Sequence, residues 1–453
     1  MNLARVYPED PALVPFRAGL HFSFFNALTW QIATGTPLVL LAELLGASPA
    51  QASLAYSFVF LLTPVQILST ALLPRFGYRK LTLGGWGLRS FLLLIPLGLA
   101  FLAPITGAKT WMVYALIASC FGFCLLRAVG MAASLPWFYS ILPSESRGLY
   151  FASDQLFGGI SCMIALITCT ALFLLLPPFT AVAVQYLIAI IGSAMSFRAL
   201  RTLPDGPPPP NLSMKEIGTG LRRLALAVSP YRSYLWVTIA CFIVTTPIAP
   251  FAAYYLKAAA GLPSWLIMVF ELLRYSGSAL GAWALSRRTN AKGARPYLIV
   301  SLGLYGLLSV YWLLFLHEGL GGHAGLIAAY LVMGFAGTCW MVGHLTYLPK
   351  LLRPEDHTLG ITLQGALASL AGGVATTVWG LFLRPSGGGQ GMDLVAFQIL
   401  FIVASIVCAI LALALMRLPE PDSPGIEPLM PGSILLRPHR AMSYLVNLID
   451  PRR

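Results

Sequence analysis

The 453-residue chain is 58% hydrophobic and only 10% charged, against roughly 25% charged residues in soluble domains. A water-soluble fold is excluded, and lipid must be the solvent for most of the chain. The net charge of +13 raises nucleic acid as a partner. No continuous basic face with base-stacking aromatics accompanies it, so no nucleic acid is expected.

The chain begins with Glu9 and Asp10 ahead of an apolar run long enough to span, which argues against a cleaved signal. Runs of about 20 apolar residues, the length that crosses a bilayer, cover 16–43, 52–74, 81–104, 111–141, 149–176 and 179–200. A second series covers 233–257, 263–285, 295–316, 324–350, 358–383 and 393–416. The sequence predicts an all-α membrane protein of twelve transmembrane helices. Residues 1–200 form one six-helix unit, 201–232 a linker, 233–417 a second six-helix unit and 418–453 a tail. The linker carries Pro207, Pro208, Pro209 and Pro210, which cannot continue a helix. The tail ends in an amphipathic stretch, Leu436 to Ile449, expected either on the membrane surface or disordered.

Of the 29 Lys and Arg, all but Lys109, Lys257, Arg384, Arg127 and Arg274 are expected in connections on the linker's side. Basic residues mark the cytoplasmic face, so the linker and both termini are expected in the cytoplasm, the membrane being a bacterial inner (plasma) membrane. The seven cysteines sit in apolar runs without a Cys-x-x-Cys spacing and read as small buried hydrophobes.

In chain order, the first span places Asn26, Trp30 and Thr34 on one helical stripe, with Gln31 beside them and Thr36-Pro37 following. Indole and hydrogen-bonding groups together suit a sugar ring or a flat solute; helix–helix contact is the alternative. The connection after the second span reads Pro74-Arg75-Phe76-Gly77-Tyr78-Arg79-Lys80. Arg127 stands midway along the fourth span and Asp154 early in the fifth, behind the turn Arg147-Gly148. Ionisable groups in hydrocarbon are costly and are functional candidates by default. Arg127 would bind an anionic or hydroxylated group, or pair with Asp154. Asp154 would exchange a proton, or sit in a fixed pair with Arg127, Arg75 or Arg79. Glu271 and Arg274 in the eighth span share a helix face, either as a proton-operated switch or as a static pair. Trp340 and His344 form a second i, i+4 stripe in the tenth span.

The halves repeat. Pro143 and Pro354 are 211 positions apart, Arg75 and Arg287 are 212, and Thr36-Pro37 and Thr246-Pro247 are 210. With this 6+6 pattern over roughly residues 15–417, and with Arg75, Gly77 and Arg79 fitting the loop signature Gly-x-x-x-Asp-Arg-x-Gly-Arg-Arg, the chain resembles the major facilitator superfamily of secondary transporters. Thr70 and Pro74 stand at that signature's Gly and Asp positions, and Arg147-Gly148 also resembles the family. The resemblance implies two six-helix bundles rocking around a central cavity lined by the first, fourth, seventh and tenth helices.

The expected function is secondary active transport of a small polar or amphipathic solute, with Asn26, Trp30, Gln31, Thr34, Arg127, Trp340 and His344 binding it. Glu271, Arg274 and Asp154 are the proton-coupling candidates, and Arg75, Gly77, Arg79, Arg147 and Gly148 form the conformational loops. Protons as coupling ion, membrane lipids around the chain and a monomeric state complete the expectation. A lipid flippase of the same fold, or a receptor or assembly factor that no longer transports, are the alternatives. No Walker-type loop, metal-ligand spacing or nucleophile triad is present in the sequence, so no cofactor, metal or enzymatic activity is expected.

Overall fold

The computed structural model describes residues 10–47, 49–209, 214–258, 260–262, 264–285, 293–318, 321–382 and 394–420. Pro210, Arg287, Arg288, Lys292, Arg384 and the amphipathic tail lie outside the described residues.

Two prolines set the first irregularity in each half. Proline lacks a backbone N–H and crowds the preceding turn. Helix α1 (Arg17–Thr34) accordingly stops at an extended Gly35, and α2 (Thr36–Leu44) restarts with Pro37 in its first turn, where a missing donor costs nothing. The second half repeats the device: α11 (Pro230–Thr245) ends before Thr246-Pro247, and α12 (Ile248–Ala258) follows. The second span is likewise in pieces, α3 (Pro49–Leu61) and α4 (Val65–Ser69). The first half is completed by α5 (Leu73–Leu92), α6 (Leu94–Thr106), α7 (Thr110–Ile141), α8 (Arg147–Leu175) and α9 (Pro178–Arg201). A linker helix α10 (Met214–Leu226) precedes α11, and the second half ends with α13 (Ser264–Leu285), α14 (Arg295–Glu318), α15 (Gly322–Tyr347), α16 (His357–Phe382) and α17 (Leu394–Met416). Each expected span is helical, but among the described residues nine stretches are by themselves long and apolar enough to cross a membrane.

The outer surface is greasy: Ile105 and Leu174 are each 81% exposed, a state that suits lipid and not water. Inside, α1 packs on α8 and α9, and α5 on α7; α13 packs on α15, α14 on α15 and α17, and α11 on α16. The halves meet where α8 lies along α13 and where α16 lies against α3, α4 and α7.

The crossing of α5 and α7 positions two arginines. A Cβ on Gly85 of α5 would stand 2.7 Å from the Gly130 Cα of α7, so only two glycines allow these helices to approach so closely. The contact sets the register in which Arg89, one turn beyond Gly85, and Arg127, one turn before Gly130, reach the same pair of rings, Phe123 and Trp30.

The linker is more ordered than four prolines suggest. Asp205 accepts a hydrogen bond from Arg79 at 3.2 Å, and the Pro204 carbonyl accepts one from Trp137 Nε1 at 3.1 Å, tying its start to the first half. Helix α10 buries Ile217 and Leu224, lies against α16 and pairs Arg223 with Asp356.

Candidate functional site

Side chains from three helices converge around the first span. Asn26 and Trp30 leave α1 one turn apart on the same face. The Asn26 Oδ1 accepts a hydrogen bond from Trp86 Nε1 at 3.0 Å and another from Arg89. The Arg89 guanidinium lies 4.7 Å from the Trp86 ring centroid and 4.9 Å from that of Phe123. Trp30 stacks on Phe123 at 6.3 Å, and the Arg127 guanidinium covers its ring at 4.3 Å. The two arginines thus flank a single pair of stacked rings.

Arg89 corrects the expectation that it belongs to a connection on the linker's side. It is 1% exposed inside α5. The third apolar run, which includes residue 89, carried the signal. Burying an unpaired guanidinium costs several kcal/mol, and each cation–π contact returns roughly 0.5–2 kcal/mol. Neither Arg89 nor Arg127 forms an ion pair among the described residues, and Arg89 Nε and Nη1 have no hydrogen-bond acceptor there. The expected alternative of an Arg127–Asp154 pair is not formed. Asp154 makes no ion pair among the described residues; its carboxylate accepts a hydrogen bond from Gln155 Nε2 at 3.4 Å, while its carbonyl accepts one from Ser23 Oγ, also at 3.4 Å.

Gln31 joins this cluster to the second half, its Oε1 accepting the Tyr275 hydroxyl at 3.1 Å. The preceding residue of α13, Arg274, places its guanidinium 4.6 Å from the Tyr275 ring and bonds Glu271 at 2.8 Å. The expected Glu271–Arg274 pair therefore forms, with both side chains about a quarter exposed (27% and 28%). Thr34 is buried and spends its hydroxyl on the Trp30 carbonyl, so it offers no free donor to a solute.

Trp340 and His344 stand apart from this cluster, near the linker-side end of α15. Their rings stack at 6.3 Å with an interplanar angle of 12°, and His344 Nδ1 meets the Tyr234 hydroxyl at 2.9 Å. Trp340 is buried and its indole N–H has no partner among the described residues. The neighbouring Leu345 carbonyl accepts the Tyr139 hydroxyl at 2.5 Å, a bond between the two halves.

The loop residues lie at the same end. Gly77 has φ +73, a left-handed conformation that side-chain-bearing residues adopt only with strain. Arg75 is exposed and covers the Phe76 ring at 5.4 Å. Arg79 reaches the linker, not the second half. With Pro74 at the signature's acidic position, the loop contacts the second half through a neutral bond, Tyr78 hydroxyl to Thr358 Oγ1 at 2.7 Å. Arg147 donates to the Tyr139 carbonyl at 2.6 Å, and Gly148 is buried beside it. Farther along the helices, Gln66 Nε2 donates to the Thr362 carbonyl at 3.3 Å. The Tyr78–Thr358, Tyr139–Leu345 and Gln66–Thr362 bonds hold the halves together on the linker's side. Sequence spacing could not show Tyr78, Tyr139 or Thr358 as partners, because each bond spans more than two hundred residues.

A family model described as Major Facilitator Superfamily matches residues 235–449. No curated protein matches in sequence. Among solved structures, a bacterial homologue of the iron transporter ferroportin in its outward-facing state superposes with a TM-score of 0.71 at 14% identity, covering 90% of this chain and 99% of that one. The E. coli fucose:proton symporter gives 0.68 at 16% identity over 89% and 99% of the two chains, and a proton:xylose symporter 0.63 at 14% over 93% and 97%. The names of these neighbours span a metal and two sugars, so the shared fold does not choose a substrate. With that fold matched over both halves and the family model over the second, the chain has the fold of major facilitator superfamily transporters.

Proposed function

We propose that this protein is a secondary active transporter that moves a small polar or amphipathic solute by alternating access. The observation that carries the proposal is the half-buried group of Asn26, Trp30 and Arg127, built on α1 and α7 and joined to the second half through Gln31 and Tyr275. A solute displacing Arg127 from the Trp30 face would act directly on the helix that touches α13. The present conformation is closed on the linker's side by the Tyr139–Leu345 and Tyr78–Thr358 bonds, which release of solute to that side must break. Trp340 and His344 act in that closure and contact the solute only when it opens.

Proton coupling is assigned to Glu271. Protonation would neutralise its carboxylate and free Arg274, which in turn contacts the Tyr275 that binds Gln31. Asp154, which has no ion-pair partner among the described residues, is the second proton-carrying candidate. The protein is proposed to work as a monomer in a bacterial inner membrane, with its linker in the cytoplasm. That Arg89, Arg127 and Asp154 form no ion pair among the described residues speaks against a non-transporting receptor, in which intramembrane charges would be mutually neutralised.

Proteoliposomes loaded with candidate solutes, with and without an inward pH gradient, test the proposal. Gradient-driven uptake by the wild type is expected to fall to the passive level in Glu271→Gln. Undiminished gradient-driven uptake in that variant would overturn the coupling assignment. Uptake that ignores the gradient in the wild type would make the protein a facilitator.

A further inference from the structure

We infer that the solute is an anion, recognised by Arg89 and Arg127 together. The inference rests on reading the Asn26–Trp30–Arg127 group as the solute site and adds the charge of what binds there. The charge inventory carries it. With Glu271 and Arg274 neutralising each other, the charged groups deep inside the helices of the first half include Arg89, Arg127 and Asp154, and no ion pair joins them among the described residues. Two guanidinium groups flank the Trp30–Phe123 stack and repel each other. Arg89 is 1% exposed, and its Nε and Nη1 are without acceptors among the described residues.

An arginine buried in this state is a donor set lacking its acceptor. Guanidinium groups match the two oxygens of a carboxylate or the oxygens of a phosphate, bond for bond. Asn26 cannot serve in their place: its single Oδ1 is already shared between Arg89 and Trp86. A neutral sugar would satisfy some donors and leave the like-charge repulsion in place. A cation would add to it. An oxyanion entering between the rings answers both.

Trp30 is the built-in reporter, and its signal is the difference in fluorescence between the wild type and Trp30→Phe. The purified full-length protein is titrated with three quenchers: iodide, caesium ion and neutral acrylamide. Iodide is expected to quench the Trp30 component at least about threefold more efficiently than caesium, since a pair of nearby positive charges in a low-dielectric site concentrates anions. The preference should vanish in Arg89→Gln and Arg127→Gln and persist in Arg127→Lys, which keeps the charge and controls for loss of packing. Equal quenching by iodide and caesium in the wild type, or a preference unchanged in both Gln variants, would overturn the anion inference while leaving the solute site standing. A Trp30 that acrylamide cannot reach would overturn the solute-site reading itself, and the inference with it.

Discussion

Among single residues, Asn26 is the one on which the arginine site depends most. Its one carbonyl oxygen holds two buried donors from α5, Trp86 and Arg89. Asn26→Leu removes the acceptor, keeps the approximate volume and leaves both donors unsatisfied, a cost of about 1–3 kcal/mol per group. A lowered melting temperature of the detergent-purified protein, together with lost uptake, is the expected outcome. Unchanged melting would mean that Arg89 finds another acceptor and that Asn26 is not its anchor. The stripe Asn26, Trp30 was legible in the sequence because both residues are large, polar at one end and one turn apart. Arg89 was legible as an intramembrane cation only from its place inside the third apolar run, because it follows a basic loop closely enough to read as part of it. Thr34 shares the stripe but has its hydroxyl returned to the helix, which spacing alone cannot reveal.

Between helices, the Gly85–Gly130 crossing positions the two arginines. Gly85→Leu would push α5 from α7 and is expected to cost about 1–3 kcal/mol through overpacking, with iodide selectivity at Trp30 lost alongside stability. Helix α10 supports a separate prediction. Arg223→Ala removes its charge contact to Asp356, and because Arg223 is about half exposed the loss should be small, near about 0.5 kcal/mol. Faster amide exchange confined to residues 214–226 is the expected readout; unchanged exchange would show that Ile217 and Leu224 hold the helix without it. The breaks at Pro37 and Pro247 were legible from proline chemistry and from their repeat. The docking of α10 was not, because the prolines ahead of it suggest only an extended tether, and the face it covers belongs to α16, more than a hundred residues away.

For the whole molecule, two related halves are bonded to each other on the linker's side, and the first holds the cluster of Arg89 and Arg127. An all-helical membrane chain with a repeated half was readable from apolar run lengths and offsets, and the match to transporter structures over about nine-tenths of the chain agrees with that fold class. Where the halves are bonded to each other was not readable. It depends on neutral bonds such as Tyr78–Thr358 and Tyr139–Leu345, which carry no periodicity. Tyr139→Phe combined with Tyr78→Phe should shift the population toward an opened linker side without unfolding the protein, since each loses only one hydroxyl.

Alternating access requires motion between these states, and paired spin labels measure it. The native cysteines are all buried, so labels on introduced cysteines report cleanly. Ser144 and Glu355 are exposed at the linker-side ends of the two halves, and Lys109 and Ala260 are exposed at the opposite ends. In lipid nanodiscs at neutral pH the Ser144–Glu355 pair should give a short distance and the Lys109–Ala260 pair a long one. Acidification, and the Tyr78→Phe/Tyr139→Phe variant, should lengthen the first and shorten the second together. A single unchanging distance for both pairs under every condition would contradict alternating access in this protein.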